Sequence, residues 1–363
     1  MTCACGAAWR VETFDLLDGQ VNRALNVIEL EVQRVLNGPA TATFRCHVRD
    51  VPVTDVWPRL RGIGVTWYGR PIWVGFVETI RAASSGSFEI AAVSLDGYLG
   101  RRVLTSNVNF QNDSLCEIGV ALVGLATDPA DGPAPPLTAA APDPSSCATG
   151  DRSYDAEDRP PIGDLVNNLV VSPNRPDYRF VPIRAGGKWS ARMDFVDVLR
   201  RPQRRPLRSN VHADRWGLDV DGIDVANWIN AQSDDREGVA VGIPPGWVRW
   251  DAAPRFGSGV SVPRLEEIAA DYLELTDGPA ATPSVDIPGD LYELDVEPGD
   301  RLERLVLQQP DGLCYDGPAL VLGVTWRASP DEPDRRTLTL FTERDDVEDA
   351  IFDAQCVDDC AEC

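Results

Sequence analysis

Two stretches of the sequence, residues 63–96 and 291–343, share one pattern of strands and turns, and this repeat constrains the fold most strongly. Each contains a strand, a glycine turn, a second glycine six residues later, and a further strand after a polar turn. The glycine pairs are Gly69 with Gly75, and Gly317 with Gly323. Glycine permits the positive φ of a tight antiparallel turn, and glycine inside a strand indicates a bulge or bend. The repeat therefore predicts two related small antiparallel β-barrels.

The rest of the chain is predicted to be mainly β, with α+β insertions that separate the two barrels. Apolar and polar residues alternate on both sides of Gly38, which indicates an antiparallel hairpin in the first barrel. Residues 127–161 are rich in Pro, Ala, Asp and Ser, and they are expected to form an extended or loosely ordered insertion. The predicted domains are a first barrel (1–110), an insertion domain with this Pro-rich loop (111–209), a second insertion or connector with a helix at 263–277 (210–285), a second barrel (286–345) and an acidic, Cys-rich tail (346–363).

Three segments have the apolar period of amphipathic helices. The first begins at Ser114, which has the spacing of a capping box to Glu117. The second begins near Pro161, and the third follows Pro263 and ends before Gly278. The residues expected to face inward are Leu115, Ile118, Leu122 and Leu125 in the first helix, Ile162, Leu165, Val166 and Leu169 in the second, and Leu265, Ile268, Ala269, Tyr272 and Leu273 in the third.

The charge balance limits the partners of the protein. The sequence has 34 basic and 57 acidic residues, for a net charge of −23. Such a surface repels nucleic acid and anionic membranes, because phosphate binding needs clustered Lys and Arg. The excess of carboxylates suits simple solubility, or a surface beside which DNA moves without adhering. No apolar run has the length of a membrane span, and the N-terminus lacks the pattern of a signal peptide, so synthesis in the cytoplasm is expected.

Five of the nine cysteines lie at the two ends of the chain, which makes them candidate metal ligands. They are Cys3, Cys5, Cys356, Cys360 and Cys363. Thiolates at such short spacing suit tetrahedral zinc or an iron–sulfur cluster, and four of the five would suffice. Disulfides formed outside the cell, or free thiols in frayed tails, are the competing interpretations. The scattered Cys46, Cys116, Cys147 and Cys314 are expected to be small buried hydrophobic residues.

Catalysis is not expected from this sequence. The two histidines, His47 and His212, stand in no catalytic or zinc motif and are interpreted as structural. Asp219, Asp221 and Asp224 resemble the start of a calcium loop but lack its glycine and glutamate positions, so a turn with solvated carboxylates is favoured. The sequence has no P-loop, nucleophile elbow, HExxH or dinucleotide fingerprint. We therefore expect no catalytic residue.

The order of these parts resembles that of the tail hub proteins of long-tailed bacteriophages, and among them the minor tail (baseplate hub) proteins of phages that infect GC-rich actinobacteria. The likeness includes the segment DGIDVANWINAQ at 221–232 and the short motifs PGD at 298–300 and GVTW at 323–326. It spans most of residues 8–345. The Pro-rich insertion and both cysteine-bearing termini fall outside the pattern of the family.

The resemblance implies a structural protein of the virion, without catalysis. In this family three subunits with two similar barrels each form a ring of six barrels. The ring joins the sixfold tail tube and distal tail protein to threefold tip or fibre components, and it encloses the channel for ejected DNA and the tape-measure protein. The inter-barrel β surfaces would then be the functional sites. Some tail-tip proteins of this group hold an iron–sulfur cluster.

Two other functions are kept as alternatives. A hexameric distal tail protein is favoured by one barrel per subunit, whereas two barrels favour the hub. A tail-associated protein that degrades the cell wall or binds carbohydrate would need a site that the sequence does not reveal.

Overall fold

The protein is mainly β, as expected. The computed structural model describes residues 9–47, 49–82, 86–157, 159–170, 175–197, 201–203, 207–213, 215–221, 226–233, 236–243, 248–255, 261–276, 280–288, 296–308, 314–330 and 333–342. Within these residues one sheet has 14 strands, and three small sheets have 2, 3 and 3 strands.

The N-terminal part forms one end of the large sheet. Two strands lead into a group of five that we call the first unit, in which β4 alternates exposed and buried residues along its whole length. The leading strands are β1 (Trp9–Asp15) and β2 (Val21–Leu25), and the first unit consists of β3 (Val27–Val35), β4 (Thr41–His47), β5 (Arg61–Trp67), β6 (Arg70–Ala82) and β7 (Ser87–Ser94). The strand order is β3-β4-β7-β6-β5, and β1 and β2 continue it beyond β5.

Residues 108–196 form a separate layer, which we call the α/β layer, against one face of the first unit. Its elements are β8 (Val108–Ser114), α1 (Leu115–Thr127), β9 (Leu137–Ala140), β10 (Thr149–Tyr154), α2 (Ile162–Val170), β11 (Asp177–Ala185) and β12 (Lys188–Val196). Its core includes Phe14, Val74 and Phe76 of the large sheet. Gly62 and Gly64 of β5 are required at this contact, because a Cβ at either position would collide with the ring of Phe14 or Trp189.

The first two predicted helices are present. All four inward residues expected in α2 are buried, as are three of the four in α1, the exception being Leu125. The capping box is wrong, because the Ser114 side chain makes no cap and its hydroxyl donates to the carbonyl oxygen of Pro144 at 3.0 Å.

Of the two forms expected for the insertion at 127–161, the strands that it contains agree with the extended one and not with the loosely ordered one. This stretch contains β9 and β10, and β9 pairs in parallel with β12 from Leu137 onward. Cys116 of α1 and Cys147 form a disulfide, with their Cα atoms 6.0 Å apart, so these cysteines are not separate buried thiols. The insertion is held by this strand pairing, by the disulfide and by apolar side chains that include the buried Leu137, which the composition alone does not reveal.

The middle of the chain contributes short strands and a small three-stranded sheet. Its elements are β13 (Arg201–Gln203), β14 (Leu207–Arg208), α3 (Ser209–His212), β15 (Arg215–Asp221), β16 (Trp228–Ser233), β17 (Arg236–Val241), β18 (Asp251–Ala252) and α4 (Val262–Thr276). Helix α4 matches the predicted third helix and buries Leu265, Ile268 and Ala269 against β16 and β17, whereas Tyr272 is exposed. Asp219 and Asp221 lie in a strand, so the favoured turn is wrong for them, and Asp224 lies outside the described residues.

The C-terminal part repeats the strand order of the first unit. The remaining strands are β19 (Ala280–Pro288), β20 (Asp300–Gln308), β21 (Cys314–Ala328) and β22 (Arg335–Thr342). Together with β15 they form the second unit, in the order β15-β19-β22-β21-β20. Each unit is thus an antiparallel hairpin followed by a three-strand meander, with the strands in equivalent places. β13 and β14 pair in parallel with the outer edge of β20.

The glycine spacing that indicated the repeat does not set its register. Gly69 has φ +77° at the turn between β5 and β6, as predicted, but Gly317 lies inside β21 opposite Leu305. The register is repeated instead by a one-residue bulge in the middle strand of each meander, at Glu78 in β6 and at Leu322 in β21.

Closure of the units into barrels is not confirmed. In the part of the chain that the structure describes, the strand order of the large sheet is open at both ends. A single apolar core nevertheless runs through both units and includes Val32, Ile63, Val321 and Leu340. No helix among the described residues has the length and apolarity to cross a membrane.

The disulfide generates a first prediction. Replacing Cys116 and Cys147 together by alanine should lower the free energy of unfolding by about 3.5 kcal/mol, because the bond closes a loop that spans 31 residues. Denaturant titration measures this. A reducing agent should produce the same loss in the unchanged protein and none in the double variant. An unchanged unfolding midpoint after reduction would contradict the cross-link.

Candidate functional site

The place where the two units join is the candidate functional site, and we call it the seam. Six antiparallel residue pairs connect β21 to β3, from Gly323 opposite Val35 to Ala328 opposite Leu30. The ladder is extended by the amide of Leu36, which donates to the carbonyl oxygen of Leu322 at 2.8 Å. The other edge of β3 pairs with β4. One strand of the first unit therefore pairs with a strand of each unit.

Aromatic side chains from both units meet at the seam. The rings of Trp9 and Trp67 stack with centroids 5.0 Å apart, and Trp67 meets Trp326 edge to face at 6.3 Å. The guanidinium of Arg336 lies over the Trp67 ring, 5.5 Å from its centroid. The indole Nε1 of Trp9 donates to the carboxylate of Asp334 at 2.7 Å. Trp9 and Trp67 come from β1 and β5, so these contacts join the two halves of the large sheet through side chains.

A buried arginine links the seam to the α/β layer. Arg34 of β3 is 3% exposed, and its Nη2 donates to the carbonyl oxygen of Phe180 at 2.8 Å. Its Nη1 lies 3.7 Å from Glu297 Oε1, and Nη1 of Arg179 lies 3.7 Å from Glu297 Oε2. Burial lowers the pKa of Arg34, and the charge of Glu297 opposes this effect. Arg34 belongs to the first unit, Glu297 to the connection before β20, and Phe180 to the α/β layer. One cation of the first unit therefore contacts both of the other parts.

Two grooves flank the seam. One has a volume of about 730 Å³ and is lined by Leu36, Leu320 and Leu322, with Asp177 and Arg175 from the α/β layer. The other, of about 330 Å³, is lined by Trp67, Tyr68 and Trp326 and by arginines that include Arg34 and Arg70. The carboxylates in these linings are Asp177 and Asp197 in the first groove and Glu297 in the second. Glu297 lies within 3.7 Å of Arg34, so it belongs to the contacts that hold the parts of the protein together.

A second set of charged groups attaches the sheet to the α/β layer. Glu12 of β1 is fully buried and accepts two hydrogen bonds from Arg184, at 2.7 and 3.0 Å, and one from the indole of Trp189 at 3.0 Å. Nε of Arg10 lies 2.6 Å from the same carboxylate. Burial by itself would raise the pKa of Glu12, but the hydrogen bonds and the neighbouring positive charges outweigh it and hold the pKa below its ordinary value.

A buried carboxyl group lies at a further contact between the first unit and the α/β layer. Asp96, 4% exposed, accepts hydrogen bonds from the hydroxyls of Ser94 and Tyr178, the latter at 3.4 Å. Asn37 adds backbone contacts, because its Oδ1 accepts from the amide of Tyr178 at 2.7 Å. Burial raises the pKa of Asp96 to about 6, although the hydrogen bonds act in the opposite direction.

The metal site predicted from the sequence falls outside the described residues, because Cys3, Cys5, Cys356, Cys360 and Cys363 all do. The described residues themselves contain no group of three or more His, Cys, Asp or Glu that could hold a metal. Cys46 is a free thiol in the core, as expected, and burial raises its pKa to about 12. His47 is exposed in β4, and Nδ1 of His212 accepts from the amide of Arg208 at 3.1 Å, which fits a structural role.

Sequence reasoning missed the residues that form the seam. Arg34 carried a usable signal, because it follows Leu30 and Val32 at the inward positions of an alternating strand. The aromatic contacts of Trp67 and Trp326 carried none, because they depend on how two distant strands are placed.

Comparisons with known proteins are informative at the level of structure only. No protein-family model and no curated protein sequence matches the chain. Among solved structures, a tail protein from Neisseria meningitidis MC58 is 14% identical with a TM-score of 0.61, and the match covers 94% of this chain and 99% of that chain. The 43 kDa tail protein of prophage MuSo2 from Shewanella oneidensis is 8% identical with a TM-score of 0.62, covering 92% and 96%.

A third solved structure agrees with these two. Prophage tail protein gp18 from Listeria monocytogenes EGD-e is 15% identical with a TM-score of 0.55, and the match covers 91% of this chain and 94% of that one. The chain therefore has the fold of phage tail proteins over nearly its full length. At these identities the likeness shows the fold alone.

Asp96 generates a prediction about pH. Its folded pKa lies above its ordinary value, so it stabilises the protein when protonated, and this contribution is lost as the pH rises through about 6. Relative to Asp96→Asn, the unchanged protein should lose about 1 kcal/mol of unfolding free energy between about pH 5 and about pH 7.5. Denaturant titrations across this range measure the difference.

The matched control for this experiment is Glu89→Gln, because Glu89 is an exposed carboxyl on the neighbouring strand β7. It should keep the pH dependence of the unchanged protein. Parallel curves for the unchanged protein and Asp96→Asn would show that Asp96 does not titrate in this range.

Proposed function

We propose that this chain is a structural hub of a phage tail tip, in which three copies form a ring. The observation that carries the proposal is the repeated strand order, because it gives each chain two units of the same construction joined side by side. Three such chains supply six similar units, which match a sixfold tail tube on one side and threefold tip components on the other. A closed ring of this kind needs head-to-tail contacts whose rotation closes.

The interior of such a ring encloses the channel for DNA and the tape-measure protein. The net charge of −23 supports this, because carboxylates that face a channel repel the phosphate backbone and let DNA pass without adhering. The partners of the hub are then a distal tail protein, tip or fibre proteins and further copies of the chain. The proposal involves no catalytic step. A phage of GC-rich actinobacteria as the source rests on sequence resemblance and stays a prediction.

The solved structure likenesses support a tail protein in general, and the two units favour the hub over its alternatives. A hexameric distal tail protein needs one unit per chain to match sixfold symmetry, whereas this chain has two. A cell-wall hydrolase or carbohydrate-binding protein is the alternative from another class, and neither activity gives a reason for two units of the same construction in one chain.

The terminal cysteines remain a separate proposal within this function. Four of Cys3, Cys5, Cys356, Cys360 and Cys363 would bind one zinc ion or one iron–sulfur cluster and thereby tie the two termini together. Metal and sulfide analysis of anaerobically purified protein tests this. One zinc per chain, or iron with sulfide, would support the site, and metal-free protein would remove it.

The mass of the purified protein tests the proposed function. Light scattering should give about three times the 39.6 kDa of one chain. A stable hexamer would favour the distal tail protein. A protein that stays monomeric at every concentration would argue against the ring of three copies. Release of peptidoglycan fragments from host cell walls by the purified protein would indicate a hydrolase.

A further inference from the structure

One difference between the two units is the number of strands that pair with the middle strand of each meander. In the second half of β21, residues 323–327 pair with β22 on one edge, and residues 323–328 pair with β3 on the other. The second half of β6, residues 79–82, pairs with β7 on one edge. In the part of the chain that the structure describes, its other edge has no strand partner. An unpaired edge in a strand of this kind is a template for another strand.

The two middle strands can be aligned residue by residue. Each has its bulge against the third strand of the meander, at Glu78 and at Leu322. Each accepts one further hydrogen bond at the residue before the bulge. The amide of Arg59 donates to Val77 O at 2.9 Å, and the amide of Gly299 donates to Val321 O at 2.8 Å. Residues 79–82 of β6 therefore correspond to residues 323–326 of β21.

The strand that covers β21 also has a counterpart. β3 is the outer strand of the hairpin in the first unit, and β15 is the outer strand of the hairpin in the second. β15 pairs with β19 on one edge and stands at the end of the large sheet, so its other edge has no strand partner among the described residues. Within one chain, β3 therefore pairs with β21, whereas the equivalent strands, β15 and β6, do not pair with each other.

We propose that β15 of one copy pairs with residues 79–82 of β6 in the next copy, and that this contact repeats the seam between chains. The proposal rests on the proposed trimeric hub and identifies the surface that closes it. Because the contact is head to tail, each copy uses β15 on one side and β6 on the other. Seams within chains and seams between chains then alternate around the ring.

The register of the seam within the chain predicts the register between chains. The two hairpins can be aligned through the strands that they pair with, which are β7 in the first unit and β22 in the second. This alignment makes Leu30 equivalent to Trp216, since Leu30 pairs with Phe44 and Trp216 pairs with Val285. The pairing of β3 with β21 then predicts four residue pairs between β15 of one copy and β6 of the next copy. They are Thr79 with Asp221, Ile80 with Val220, Arg81 with Asp219, and Ala82 with Leu218.

The residue types at these positions are complementary. An aliphatic residue stands opposite an aliphatic residue at Ile80 and Val220, and opposite formal charges stand at Arg81 and Asp219. Arg81 is exposed within one copy. Opposite charges across neighbouring strands are favourable, and like charges there are unfavourable. Strand pairing supplies the hydrogen bonds of the contact, and the charge pair helps to fix its register.

Charge reversal tests the contact. Arg81→Asp and Asp219→Arg, each alone, place like charges opposite each other, so each should raise the protein concentration needed for half assembly by at least about tenfold. The double variant restores opposite charges and should return this concentration to within about threefold of the unchanged protein. Sedimentation equilibrium measures the concentration. The matched control is Arg45→Asp, an exposed arginine of β4, which β7 separates from β6 and which should leave assembly unchanged.

Cross-linking provides a second measurement that does not depend on charge. The double variant Ala82→Cys, Leu218→Cys should form a covalent ring of three chains on oxidation, and mass spectrometry should find the linked peptides that contain these positions. Ala82→Cys alone controls for the native cysteines. If the charge-reversed variants still form trimers at the same concentration and no such linked peptide is found, the β6–β15 contact would be overturned while the hub would stand. A chain that stays monomeric at every concentration and yields no linked peptide would overturn both proposals.

Discussion

The two halves of the large sheet are joined by β3, because the two edges of this strand carry backbone hydrogen bonds to different units. On one side it pairs with β4 and completes the first unit, and on the other it pairs with β21 of the second unit. Apolar residues of both units share one core across this joint, so the strand ladder and the hydrophobic contact reinforce each other. Two units with separate cores would be free to move relative to each other, whereas a shared core and a common strand make their relative position part of the folded state.

Buried charges set the position of the α/β layer on this sheet. Glu12 and Arg34 are both removed from water, and each contacts groups of more than one layer. The cost of desolvating such ions offsets much of their attraction, so their net contribution to stability is small. Their hydrogen bonds are directional, however, and only one placement of the layers satisfies them. Gly62 and Gly64 add a steric requirement at the same contact, because they leave room for the rings of Phe14 and Trp189.

Much of the local structure could be predicted from the sequence, whereas the joints between elements could not. The apolar periods located α1, α2 and α4, and the repeated strand pattern located both meanders, although only Gly69 lies at the turn expected for it. Local patterns fail where distant parts of the chain decide the outcome. The disulfide of Cys116 and Cys147 and the pairing of β9 with β12 join residues that are distant in the sequence, and the composition of 127–161 does not reveal them. Gly69 and Gly317 also show that similar spacing can arise in different registers, because only strand pairing fixes where a bulge falls.

The hairpin at the start of each unit has one further consequence. In the first unit, residues 36–40 connect β3 to β4 directly, whereas in the second unit β15 and β19 are separated by a stretch that includes β16, β17, β18 and α4. The same point of the scaffold therefore tolerates either a short connection or an added module. In a ring of three copies the short and the decorated corners alternate, so a circle with six nearly equivalent positions would display only three protruding modules. In the proposed ring, this difference and the α/β layer that packs on the first unit would together reduce a nearly sixfold frame to threefold symmetry.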